Sequence, residues 1–106
     1  MTVVEERSYT LHTQYSPKDY FEIYLKEGFA LQSQVLQGFA GYFITEVGDL
    51  NTIVSLWRYP DFNARLERRA LLAANPEWQS FLDKVRPMIR VMSSRLLIPT
   101  AFSPQY

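Results

Sequence analysis

A chain of 106 residues, 47% hydrophobic and 21% charged, has the size and composition of one globular domain over residues 1–106, not of a disordered segment. Eleven basic residues balance eleven acidic ones, so there is no net positive field to gather nucleic acid, and none is expected as a partner. Without cysteine, disulfides, thiolate metal sites and thiol nucleophiles are excluded, which suits a reducing compartment. The opening Met-Thr-Val-Val-Glu-Glu-Arg lacks the apolar run of a signal peptide, and no stretch of about 18 apolar residues occurs. A cytoplasmic protein with no membrane contact is therefore expected.

Residues 3–12 alternate, with Tyr9 and Leu11 toward one side and Ser8, Thr10 and His12 toward the other, which predicts a strand with two unlike faces. Ser16-Pro17-Lys18-Asp19 supplies a cap, a first-turn proline and a capping-box acid. Phe21, Tyr24, Leu25, Gly28, Leu31 and Val35 keep helical spacing and predict one continuous helix over 17–36. Gly28 in its interior costs roughly 1 kcal/mol against alanine, and a close helix–sheet contact would explain it. Residues 38–47 and 51–59 are rich in β-branched and aromatic side chains around the Gly48-Asp49 turn and predict a hairpin.

Pro60 ends that hairpin and Asp61 caps a second helix, with Phe62, Leu66 and Ala70 on one face and Arg65, Arg68 and Arg69 as a solvated basic surface. Asn75-Pro76-Glu77 starts a third helix whose apolar stripe is Trp78, Phe81, Leu82 and Val85, and Pro87 ends or kinks it. Residues 91–98 form the last strand, and the tail 100–106 lies on the surface or on a partner subunit. The order β-α-β-β-α-α-β predicts an α+β, ferredoxin-like fold: a four-stranded antiparallel sheet with helices on one face. Both sheet faces carry apolar residues, among them Trp57, Tyr59, Phe43 or Tyr42, and Leu96 or Leu97. A homodimer or higher homo-oligomer packed face to face would bury the second face and enclose a cavity between two sheets.

Several segments together resemble the NIPSNAP-like family: Val4-Glu5-Glu6-Arg7-Ser8-Tyr9-Thr10-Leu11 as its opening strand, then Gly41-Tyr42-Phe43, Gly48-Asp49-Leu50-Asn51 and Leu56-Trp57-Arg58-Tyr59 as its central hairpin. Asn75-Pro76-Glu77-Trp78 and Ala101-Phe102-Ser103-Pro104 also match, so the resemblance runs over nearly the whole chain. It implies a dimeric α/β barrel of two ferredoxin-like subunits. The wider superfamily includes cofactor-free monooxygenases, haem-handling enzymes and small-molecule binders, an analogy of fold that does not fix function. The family often places His two residues before the Trp of the central strand, where this chain has Ser55.

His12 is the only histidine, so no multi-histidine metal site can form within one chain, and neither a metal nor a cofactor is expected. It could act as a general base or as a single haem ligand, against the plainer reading of a solvated strand-end histidine. Ser55, Trp57 and Tyr59 share one strand face by period two and could line a pocket for a flat or apolar ligand, together with Ser8 and Thr10; the plainer reading is interface packing. Arg7 and Arg95 could clamp a carboxylate, although pairing with Glu5, Glu6 or Glu46 is favoured. Arg68 and Arg69 could reach an anionic ligand.

The leading expectation is a small, partly apolar organic molecule bound between the sheets of a dimer. A cofactor-free oxygenase using His12, Tyr42, Trp57 and Arg95 is the alternative enzyme reading, and a structural interaction module the alternative without chemistry.

Overall fold

The computed structural model describes residues 1–104. Its elements are β1 (Val3–Leu11), α1 (Pro17–Glu27), α2 (Phe29–Leu36), β2 (Phe39–Ile44), β3 (Thr52–Tyr59), α3 (Phe62–Ala73), α4 (Pro76–Val85), a single 3-10 turn (Arg86–Met88) and β4 (Ile89–Leu97). The strands form one antiparallel sheet in the order β2-β3-β1-β4, the ferredoxin-like arrangement expected, with all helices on one face. No helix among the described residues is long and apolar enough to cross a membrane. Of the tail 100–106, Ser103 N–H closes a turn on the Thr100 carbonyl at 3.1 Å and Phe102 is exposed; residues 105–106 lie outside the described residues.

The helix starts follow from their caps. Ser16 Oγ accepts from Asp19 N–H while the Asp19 carboxylate accepts from Ser16 N–H at 2.9 Å, a complete capping box. Asp61 Oδ1 accepts from Ala64 N–H at 2.7 Å. Asn75 Oδ1 accepts from Glu77 N–H at 2.8 Å and Trp78 N–H at 3.2 Å, two donors that the first turn cannot satisfy internally. Asn75→Ala is accordingly expected to lower the unfolding free energy by about 1 kcal/mol, read as a shift of the urea midpoint with unchanged slope; no shift would mean that water replaces this cap fully.

Two expectations are corrected. The helix over 17–36 is broken into α1 and α2 at Gly28, which has φ −121° and ψ −43°. The hydrogen bonds from Gly28 N–H to Tyr24 O and from Gln32 N–H to Gly28 O persist at 2.8 and 2.9 Å, so the break is a kink, not a loop. Its cause is a helix–helix contact, not a helix–sheet one: a Cβ at Gly28 would lie 3.0 Å from the ring of Phe81 on α4 and 3.0 Å from that of Tyr24.

The second correction concerns α3, which is turned over relative to its apolar pattern. Phe62 and Leu66 are each 50% exposed, and Ala70 is exposed with them. The arginines expected in solvent are half-buried: Arg65 reaches Glu5, Arg68 Nη1 donates to the Leu36 carbonyl at 3.3 Å, and Arg69 faces the sheet side. A buried acid on β1 explains the inversion, because leaving it without a cation would cost more than exposing two apolar side chains.

The core lies between the sheet and the helices. Val3, Leu11, Ile53, Trp57 and Tyr59 from the strands meet Tyr20, Tyr24, Leu36, Leu72, Trp78, Phe81, Val85 and Met88. The register pairs Glu5 with Trp57, Arg7 with Ser55 and Tyr9 with Ile53, so these residues share the covered face. The pairs Val4–Arg58, Glu6–Leu56 and Ser8–Val54 occupy the open face, joined there by Phe43 and Leu97.

Candidate functional site

On the covered face, β1 presents Glu5, Arg7 and Tyr9, and β3 presents Ser55, Trp57 and Tyr59. Glu5 is completely buried, and a lone carboxylate there would be pushed toward its neutral form. It is instead saturated with donors: Oε2 accepts from Arg7 Nη1 and Arg65 Nη2, each at 2.9 Å, and from Ser94 Oγ at 2.6 Å, while Tyr59 OH lies 3.4 Å from Oε1. Burial works to raise the Glu5 carboxyl, but hydrogen bonds from Arg65, Ser94 and Arg7 outweigh it and hold it at about 2. Burial likewise works against the charge of Arg7, and Tyr9 and Glu5 beside it more than compensate, keeping the guanidinium above its ordinary value. Burial and Glu5 push the Tyr59 hydroxyl up to about 12, against the pull of Arg69 and Arg65.

Beside this ion cluster runs a chain of neutral hydroxyls. Trp57 Nε1–H donates to Ser55 Oγ at 3.0 Å, and the Tyr42 hydroxyl shares hydrogen bonds with Tyr20 and Ser55. Tyr24 OH donates to Gln32 Oε1, and Arg7 Nε donates to Tyr9 OH at 3.0 Å. Burial, reinforced by neighbouring phenols, pushes Tyr20, Tyr24 and Tyr42 well above the usual phenol range. These groups stay protonated at neutral pH, so they offer O–H donors and aromatic walls, not bases.

Cluster and chain meet at a pocket of about 90 Å³ between sheet and helices. Its polar lining is Arg7, Tyr9, Tyr20, Gln32, Tyr42, Arg69 and Arg86; Trp78, Leu82, Ile89 and Met92 supply the apolar part. It adjoins an outer cleft of about 480 Å³ that shares Arg69, Trp78, Leu82 and Arg86. The inner lining contains three guanidinium groups and no carboxylate or imidazole.

The expected site residues divide between the two faces of the sheet. Ser55, Trp57 and Tyr59 do share one face, and Tyr42 joins them through Ser55; Trp57 and Tyr59 are fully buried behind the pocket wall. Ser8 and Thr10 lie on the open face, where Thr10 Oγ1 shares a hydrogen bond with Thr52 Oγ1 at 2.9 Å. His12 follows the end of β1 and is held through its backbone, N–H to Met88 O at 2.9 Å and carbonyl to Asn51 Nδ2 at 3.1 Å. Arg95 pairs with Glu6 at 3.0 Å on the open face, its side chain 67% exposed, and Arg7 pairs with Glu5. The enclosed space of a single chain lies on the covered face, not on the open face where two sheets would meet.

Sequence reasoning passed over Tyr9, Tyr20, Gln32, Trp78 and Arg86 as lining residues; Arg69, offered there as able to reach an anionic ligand, does line the pocket. A usable signal was present: Glu5 stands at the same strand parity as Val3, Tyr9 and Leu11, and an inward acid requires inward cations.

A family model described as NIPSNAP matches residues 4–104 of the chain. The curated protein NipSnap homolog 1 of Danio rerio is 36% identical over 64 residues, covering 60% of this chain, which spans only 23% of that protein's length. Among solved structures, a NIPSNAP family protein from Agrobacterium tumefaciens superposes with a TM-score of 0.94 at 34% identity over the whole of both chains. The cofactor-independent oxygenase SnoaB from Streptomyces nogalater superposes with a TM-score of 0.64 at 19% identity over 98% of each chain, a shared fold.

Proposed function

This chain belongs to the NIPSNAP family, and from that premise we propose that it binds a small, partly apolar organic molecule beneath its helices as one half of a homodimer. The observation that carries the binding reading is the composition of the pocket: aromatic and aliphatic walls with a few convergent donors, the combination that holds and orients small ligands. Homodimer formation is supported by the open sheet face, where Phe43 and Leu97 remain exposed beside Val54 and Leu56, and by the fold's likeness to dimeric α/β barrels. An oxygenase would need a base next to its substrate. Neither His12 nor any carboxylate lines the inner pocket, and its Tyr20 and Tyr42 phenols stay protonated, so the geometry favours binding.

Native mass spectrometry of freshly purified protein is expected to show two chains together with a retained non-protein mass that is lost on denaturation. A monomer would overturn the dimer. A pocket that retains nothing, and whose Trp78 indole signal no fragment shifts, would overturn the binding reading.

A further inference from the structure

Resting on that reading of the pocket, we propose that the bound molecule carries a carboxylate and that Arg69 receives it. The argument starts from the charges under the helices. Glu5 is the only buried acid among the described residues, and its Oε2 already takes Arg7, Arg65 and Ser94. Arg69 has no carboxylate within ion-pair distance among the described residues, and its Nη1 is buried without a hydrogen-bond partner. A desolvated guanidinium nitrogen left unpaired is costly, and native structures keep such groups where a ligand or water completes them. The inner pocket offers no protein acid to complete this one; the outer cleft adds only Asp83.

The shape and donor set select the anion. Arginine presents a planar fork that matches a carboxylate, and the protonated phenols of Tyr20 and Tyr42 give further wall without adding charge. An inner space of about 90 Å³ takes a carboxylate with a few carbon atoms, and the outer cleft takes the rest of an aromatic or aliphatic body against Trp78 and Leu82. Arg86, lining both spaces, adds positive potential along the path. The ligand class is therefore a monocarboxylic acid with an apolar body.

The test is a nuclear magnetic resonance titration of the full chain with matched pairs of aryl and alkyl carboxylic acids and their primary amides. Pairs of equal shape isolate the charge, and the Trp78 indole N–H reports the pocket. Acids are expected to bind about tenfold or more tightly than their amides. Arg69→Gln is expected to bring that ratio near one, with acid affinity falling further than amide affinity. Amides binding as tightly as acids would overturn the carboxylate and leave the pocket reading standing. Failure of every acid and every amide to shift Trp78 would overturn the pocket reading and the inference with it. An acid preference that survives Arg69→Gln and disappears in Arg86→Gln would overturn the assignment to Arg69. The wild-type ratio decides the carboxylate by itself, should Arg69→Gln fail to fold.

Discussion

Glu5→Gln is expected to lower the unfolding free energy by about 3–5 kcal/mol, the cost of removing one partner from a buried ionic cluster. The carboxylate pairs with two half-buried guanidinium groups at 2.9 Å and accepts from Ser94 at 2.6 Å. An amide of the same shape keeps some hydrogen bonds but leaves Arg7 and Arg65 buried together without a counter-charge. The pH dependence follows from the carboxyl being held at about 2, below its ordinary value of 4.5. A lowered folded-state value means that the stabilisation is fully present above the unfolded value and disappears as pH falls from 4.5 through about 2. Its size is on the order of 3 kcal/mol. Urea unfolding of the wild type and Glu5→Gln across this window should show two curves far apart near neutral pH that converge under acid. A constant separation at all pH values would mean that Glu5 contributes packing and not charge.

What could be read from the sequence divides along a physical line. Local signals were decisive: Ser16 with Asp19, Asp61, and Asn75 with Pro76 each mark a helix start that the structure shows. The strands and their order followed from periodicity and turn residues. The face of α3 was illegible from its own pattern, because Phe62, Leu66 and Ala70 make a plausible inner stripe in isolation. The choice was made elsewhere, by Glu5 on β1, so a residue distant in sequence overrode local hydropathy.

The site divided for a related reason. Period two shows that Ser8 and Thr10 share a face, and that Ser55, Trp57 and Tyr59 share one, but not whether the two sets face the same way. Register decides it. The observed pairing of Arg7 with Ser55 puts the odd-numbered residues of β1 beside the odd-numbered residues of β3, and a one-residue slip would have put Ser8 there instead. Arg69 could be offered to an anionic ligand only on equal terms with Arg68, because nothing in α3 itself distinguishes the two. Only the positions of Glu5 and the tyrosines make Arg69 exceptional.

The same dependence on close tertiary approach makes Gly38→Ala a severe substitution, with an expected loss of about 3 kcal/mol or more. Gly38 enters β2 with φ +65°, and a Cβ there would lie 1.9 Å from the Arg58 carbonyl oxygen, a backbone atom that cannot swing aside. The Gly38 carbonyl accepts from Arg58 N–H at 2.7 Å, so relief of the clash must also disturb the first bond between β2 and β3. Gly48→Ala supplies the comparison. Its φ is +119°, but a Cβ would meet only Thr45 at 3.7 Å, which leaves the conformational penalty without the collision. Thermal and urea unfolding should therefore rank Gly38→Ala well below Gly48→Ala, with amide exchange in the Gly38→Ala protein fastest along β2. Equal losses would show that backbone conformation alone sets the cost. Because β2 carries Tyr42 to Ser55 and Tyr20, a selective loosening of this strand should also weaken binding at the pocket before the rest of the sheet is lost.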